Sequence, residues 1–387
     1  MIKSVLDTDF YKVTMMQCVF NNFSRVEAEY KFVCRSEGVD LSPLLRKIKE
    51  QIFSLCCLKV NEQDISSLRK LSPVFDDNFL NFLEGFSLKS KYVTIREDRR
   101  ERGNIELRIK GPWFETIIFE TALLAIISQT YCTSKPLEDS NLFREILRDK
   151  INYIKSVSVP LKFAEFGTRR RYSSFVQKEV LQELIKEVPN SLIGTSNIYF
   201  ASFFGINVIG TMAHEFLMSG MGLSNVSLRQ SQKYMLEKWI SEYKGHLGIA
   251  LTDTISMDSF LEDFNLFLAK AYDGCRHDSG CPYVWGEKLI RHYEKLGIDP
   301  RTKSAVFSDG LNFEKAYGIA KYFNKKIDVS FGIGTNLTND VGIKPLSMVL
   351  KLVRVNGQPL AKISDEPHKA LCEDSNFLEY LKRVYKV

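Results

Sequence analysis

The sequence predicts an α/β fold dominated by parallel β/α units, and three observations carry that expectation. From about Lys162 onward, short apolar strand-like runs alternate with longer helical ones. Most of those runs end in polar, glycine-rich residues. The chain has 387 residues, 44% hydrophobic and 26% charged, which is enough apolar material for a sizeable core and for two domains.

The elements follow in order. EAEYKFVCR (27–35) partly alternates and predicts a strand, while LSPLLRKIKEQIFSLCCL (41–58) spaces Leu and Ile as a helix does. YVTIREDRRERGNIELRIKGPW (92–113) reads as a hairpin around a charged turn, and FETIIFETALLAIISQTYC (114–132) as one largely buried helix. Next come the strand-like LKFAEFG (161–167), INVIGT (206–211), LGIALTD (247–253), AYDGCRHDSG (271–280), KSAVFSDG (303–310) and KIDVSFGIGTN (326–336). All but the last are followed by a helical stretch, with SMDSFLEDFNLFLAKA (256–271) taken as one helix. Finally, Asn356-Gly357 between apolar runs signals a hairpin that is expected to pack with the N-terminal part.

Composition removes several classes of function. A net charge of +6 is small for this length, without the concentrated basic stripe of a nucleic-acid binder. The eight cysteines lack the spacing of a disulfide framework, and no Cys-x-x-Cys unit suggests structural zinc. The start, MIKSVLDTDFYKVTMMQ, has no continuous apolar run, and no stretch approaches the roughly 20 apolar residues of a bilayer span. These features predict a soluble protein of a reducing, cytoplasmic compartment, with no membrane or nucleic-acid partner.

In β/α barrels the active site collects at the C-terminal ends of the strands. The polar ends here are EFGTRRR, GTMAHEF, TDT, RHDSG, SDG and GIGTN. In the first, Phe166 offers an aromatic face beside Arg169, with a helix start and solvated arginines as the bland alternative. His214 stands between Thr211 and Glu215, which could orient an imidazole for nucleophilic or acid–base work; a satisfied structural histidine is the alternative. Asp253 suits orientation of a histidine or a ribose hydroxyl, or it merely precedes a helix cap at Thr254 or Ser256. Arg276 could neutralise a carboxylate and Asp278 could meet a diphosphate, unless the two form a structural pair. Asp309 with Gly310, and Gly332, Gly334 and Thr335, suit close backbone approach to a phosphate at a helix start. His246, His292, His368 and the charges at 96–102 are expected to be functionally silent.

DTDFYKVTMMQ, EFGTRRR, GTSNIYFA, GTMAHEF, LTDT, CRHDSGCP, VFSDGL, FGIGTNL and KISDEPHK, in this order, resemble the nicotinate phosphoribosyltransferase family over nearly the whole chain. The resemblance implies an irregular β/α barrel at 126–344, joined to an α/β domain built from 1–125 plus 345–387. It implies that nicotinate, phosphoribosyl diphosphate, ATP and water give nicotinate mononucleotide, diphosphate, ADP and phosphate, with Mg2+ present. His214 would be transiently phosphorylated, with Asp253 and Asp278 as its catalytic companions. Tyr11, Thr211 and Arg276 would contact nicotinate, and Phe166 would stack on its ring. Thr335 and the neighbouring Gly332 and Gly334 would bind the 5′-phosphate, with Arg169 nearby. Asp278 and Asp309 would hold ribose hydroxyls or magnesium diphosphate; no residue is assigned as a dedicated metal ligand. A homodimer, with Tyr11 acting in trans, is a further implication. Competing readings are a relative acting on nicotinamide or quinolinate, and a non-catalytic phosphate-ligand binding protein.

Overall fold

The computed structural model describes residues 2–99, 103–135, 141–366, 370 and 372–387. The strands are β1 (Glu27–Cys34), β2 (Val93–Glu97), β3 (Ile105–Pro112), β4 (Phe163–Glu165), β5 (Leu192–Thr195), β6 (Ile249–Leu251), β7 (Gly274–His277), β8 (Ser304–Phe307), β9 (Asp328–Ile333), β10 (Met348–Val355) and β11 (Gln358–Pro359). Two compact units interleave along the chain: residues 1–156, 164–210 and 333–351 form the first, and 157–163, 211–332 and 352–387 the second. Compactness therefore groups residues differently from the expected boundaries at 125 and 345. One reason lies within the first unit. Ser128 Oγ donates to the Arg171 carbonyl at 2.9 Å, and Arg171 reaches back to Asp7, so the end of β4 is bound to the N-terminal segment.

In the second unit β6, β7, β8 and β9 pair in parallel in chain order, as the alternation of strands and helices requires. Hydrogen bonding among the described residues does not close the parallel strands into a ring. Their apolar side chains meet the intervening helices in an aromatic core. Phe307 lies 5.3 Å from Trp285, 5.8 Å from Phe323 and 6.0 Å from Phe331, ring centre to ring centre. Trp285 also donates Nε1–H to Thr252 Oγ1 at 2.9 Å, so the helix Pro282–Lys295 is tied to the turn after β6. The Asn356-Gly357 hairpin is present: Val355 pairs with Gln358, and both turn residues take positive φ, 50° and 78°.

In the first unit β1, β3 and β2 form an antiparallel sheet with Val93 opposite Ile109, as the hairpin reading requires; residues 100–102 of its turn lie outside the described residues. The helix Leu45–Cys56 also forms where its Leu and Ile spacing placed it.

Four elements differ from expectation. The 114–132 stretch is two helices, Trp113–Thr116 and Phe119–Cys132, because the Thr116 hydroxyl bonds back to the Pro112 and Trp113 carbonyls and the chain turns at Ile117 and Ile118. The 256–271 stretch breaks at Phe264, where Asn265 caps a second helix, Leu266–Ala271, by accepting from Leu268 N at 3.1 Å. INVIGT is not a strand; Val208 makes a single bridge to Thr195, whose own short strand β5 carried no clear signal. GTMAHEF therefore does not follow a strand, and His214 instead opens the helix His214–Ser219. Among the described residues no helix is long and apolar enough to cross a membrane, and all eight cysteines are free thiols.

The Asp7–Arg171 pair is wholly buried and bidentate, at 2.7 Å through each terminal guanidinium nitrogen. Removing one partner strands the other charge. Arg171→Met is expected to destabilise the first unit by about 3–5 kcal/mol, read as a large fall in the thermal unfolding midpoint. An unchanged midpoint would mean that the pair is dispensable.

Candidate functional site

The second unit gathers its ionisable groups around His214. The imidazole Nε2 lies 2.8 Å from Asp253 Oδ1, across 39 positions of sequence. Asp253 sits on the turn after β6 and is 1% exposed. Its second oxygen, Oδ2, accepts from Ser279 Oγ at 2.6 Å and from the Lys362 ammonium at 2.7 Å. Asp278, on the turn after β7, places Oδ2 3.8 Å from His214 Nε2, while its Oδ1 accepts from Ser308 Oγ at 3.0 Å. Since a carboxylate only accepts, Nε2 carries a proton, and in the neutral imidazole Nδ1 then keeps its lone pair.

Electrostatics favour that neutral form. Burial holds the His214 imidazole below its ordinary range, and the Lys362 charge adds to the effect against the opposing pull of Asp253 and Asp278. Burial would raise the Asp253 carboxyl, but His214 and Lys362 together hold it well below the usual carboxylate range. One oxygen or nitrogen from each of His214, Asp253 and Asp278 falls within 4.8 Å of the others, a spacing that suits a metal ion. Yet Asp253 already holds an ammonium and a hydroxyl on Oδ2, and magnesium prefers an all-oxygen shell. The better hard-cation donors are Asp278, with a side chain 31% exposed, and the half-buried Asp309 after β8.

Sequence reasoning expected Thr211 and Glu215 to orient His214. That expectation is corrected: Asp253 holds the ring, and Thr211 Oγ1 donates to the Ile249 carbonyl at 3.0 Å. Thr254 is not the helix cap either; Ser256 is, accepting from Ser259 N. Arg276 donates Nη1–H to the Met212 carbonyl at 3.2 Å, while its Nε has no hydrogen-bond partner among the described residues. No structural Arg276–Asp278 ion pair occurs among the described residues. His292 accepts a structural role against the Phe264 carbonyl at 2.8 Å, and His246 is exposed, as silent residues would be. His368 lies outside the described residues.

The first unit holds the other candidates. Phe166 is half-buried directly after β4, its N–H donating to the Ile333 carbonyl at 2.8 Å. Gly334 passes so close that a Cβ there would stand 2.7 Å from the Phe166 carbonyl oxygen. Thr335 begins a single helical turn, Thr335–Thr338, too short for the dipole argument made from sequence. Gly332, by contrast, falls in the second unit and lies buried inside β9, not in the loop beyond it. Arg169 is 41% exposed and reaches Glu120 Oε1 at 3.4 Å; Glu120 also pairs with the fully buried Lys12. Burial raises the Tyr11 hydroxyl well above its ordinary range, with Arg169 opposing.

Glu120, Lys12, Ser279 and Lys362 escaped sequence reasoning. A glutamate in the apolar run FETALLAIIS was a usable signal, since a buried carboxylate needs a cation. Nothing in the spacing of KISD pointed to Asp253.

A model of the nicotinate phosphoribosyltransferase N-terminal domain matches residues 6–128, and the model of the nicotinate phosphoribosyltransferase family matches 161–387. The chain is 45% identical over 384 residues to a nicotinate phosphoribosyltransferase of Xanthomonas axonopodis pv. citri, covering 99% of this chain and 97% of that one. It is 45% identical over 389 residues to one from Burkholderia mallei, covering 100% and 97%. The crystal structure of a Vibrio cholerae nicotinate phosphoribosyltransferase superposes with a TM-score of 0.96 at 41% identity, covering 100% of this chain and 94% of that one.

The neutral imidazole is directly measurable. Because its folded pKa lies below the ordinary 6.5, the unfolded chain takes up the proton first as pH falls. His214 is therefore expected to stay neutral at pH 7 by histidine NMR, and it opposes folding increasingly as pH drops from 6.5 toward its depressed value. A His214 resonance that titrates above pH 7 would contradict the arrangement.

Proposed function

Because the chain belongs to the nicotinate phosphoribosyltransferase family, we propose that it joins nicotinate to 5-phosphoribosyl 1-diphosphate, with ATP hydrolysis coupled to turnover. The products are nicotinate mononucleotide and diphosphate, a step toward NAD.

The observation that carries the ATP-coupled part is the His214–Asp253 bond. With Nε2–H donated to Asp253, the Nδ1 lone pair attacks the γ-phosphorus of ATP. The P–O bond to ADP breaks, and the positive charge left on the ring is stabilised by the Asp253 carboxylate. Water later cleaves the P–N bond and releases phosphate. The added negative charge at this helix start is the change proposed to couple hydrolysis to turnover.

The transfer itself needs no base. The neutral pyridine nitrogen attacks ribose C1, the C–O bond to diphosphate breaks, and no proton moves. Orientation and charge neutralisation are what the site must supply. In the second unit Arg276 is proposed to take the nicotinate carboxylate, since its Nε remains to be satisfied, with Thr211 beside it. Asp278 and Asp309 are proposed to hold ribose hydroxyls, and magnesium with the diphosphate; the ion would neutralise charge on the leaving group. In the first unit Phe166 and Tyr11 are proposed for the pyridine ring, and Arg169, Gly334 and Thr335 for the 5′-phosphate. A homodimer is part of the proposal, and in it Tyr11 would serve the neighbouring subunit's site. Eight free thiols support a reducing, cytoplasmic setting.

A coupled assay with phosphoribosyl diphosphate, magnesium and ATP, offered nicotinate, nicotinamide or quinolinate separately, tests the reading. Mononucleotide from nicotinate alone, with ADP released, is expected. Turnover of another pyridine reassigns the substrate, and binding without product would leave a phosphate-ligand binding protein.

A further inference from the structure

The segment after the C-terminal hairpin straps the two turns that carry Asp253 and Asp278. Ile363 N–H donates to the Thr254 carbonyl at 3.0 Å. Asp365 Oδ1 accepts from Met257 N at 2.9 Å, and Glu366 Oε1 from Gly280 N at 2.6 Å. Ser364 Oγ donates to Ser279 Oγ at 3.1 Å, and Ser364 itself is buried at a φ of 69°. A non-glycine residue persists in that left-handed region only where its surroundings over-determine it, and such residues cluster at functional sites. Every residue from Lys362 to Glu366 thus touches the turn after β6, the turn after β7 or the helix start beyond.

Lys362 is the charged member of this strap, its side chain 11% exposed. The Asp253 carboxylate has two oxygens, and Lys362 with Ser279 occupies Oδ2, which leaves Oδ1 to His214. Without the ammonium, two carboxylates within 4.8 Å of the imidazole would face an incoming phosphoryl anion unopposed by this cation. We propose that Lys362 is a positioning residue for phosphoryl transfer to His214: it fixes Asp253 with Oδ1 toward Nε2 and offsets the carboxylate charge that would repel the phosphoryl group. The inference rests on the proposed ATP coupling. It gives the C-terminal strap a function in that step, beyond closing the fold.

The test uses the full chain with Lys362→Met and Lys362→Arg. Histidine-labelled NMR of the free protein reads the His214 tautomer, γ-labelled ATP reads phosphohistidine formation, and mononucleotide synthesis without ATP is followed in parallel. In Lys362→Met the Nε2–H tautomer is expected to give way to a mixture. Phosphorylation should fall about 10- to 100-fold, the loss of one charge-assisted hydrogen bond, and further than uncoupled synthesis falls. Lys362→Arg keeps the charge and should recover part of the loss. If Lys362→Met does not fold, Lys362→Gln, which keeps a donor but no charge, is expected to show the same split. An unchanged tautomer with wild-type phosphorylation in a folded, uncharged variant overturns the proposal, as does an equal fall in both activities. A wild-type protein that takes no label from ATP would sink the coupling itself, whereas the tautomer comparison still decides whether Lys362 positions Asp253.

Discussion

The division of the Asp253 carboxylate between its partners is the constraint on which the chemistry of the second unit depends. Oδ1 meets the imidazole, while Oδ2 meets an ammonium and a hydroxyl. The carboxylate is nearly inaccessible to water, so each partner replaces solvation that burial removed. That sharing fixes the His214 tautomer and leaves Nδ1 nucleophilic. It also explains why three segments far apart in sequence, at 214, 253–279 and 362, are held together by polar contacts where a hydrophobic core alone would not set their register. The parallel strands beneath supply the platform: β6 and β7 end where Asp253 and Asp278 begin, and the aromatic core around Phe307 supports the neighbouring strands.

The first unit solves a similar problem with a larger network. Arg171 pairs with Asp7 through both terminal nitrogens and donates to Gln177, which in turn donates to Glu165 and Thr168. Asn197 closes the circuit by donating to Asp7 and Thr168. The short turn Thr168–Arg170 is consequently held from several sides, with Phe166 just before it and Arg169 within it. The arginine run thus divides by role: Arg171 is wholly buried structure, whereas Arg169 remains partly open to solvent.

Much of the fold was legible because its signals are local. Apolar runs of strand length, the helices behind them and the Asn-Gly turn each announce themselves within a few residues. The failures have equally local causes. INVIGT carries the β-branched composition of a strand but finds one bridging partner, and Leu192–Thr195 forms a strand of only four residues. Thr116 and Asn265 interrupt helices through side-chain bonds that apolar spacing does not reveal. The candidate site was legible as a set of motifs, not as a set of contacts. His214, Asp253 and Asp278 were each visible, yet the pairing that selects Asp253 over Thr211 and Glu215 depends on the packing of distant segments. Lys362 was invisible for the same reason.

The most direct test of the central claim is to phosphorylate the protein with ATP and identify the phosphorylated nitrogen by phosphorus–nitrogen NMR. An Nδ1 phosphohistidine at His214 is the result that the Asp253 bond to Nε2 demands. Phosphate on Nε2, or on a residue other than His214, would contradict it.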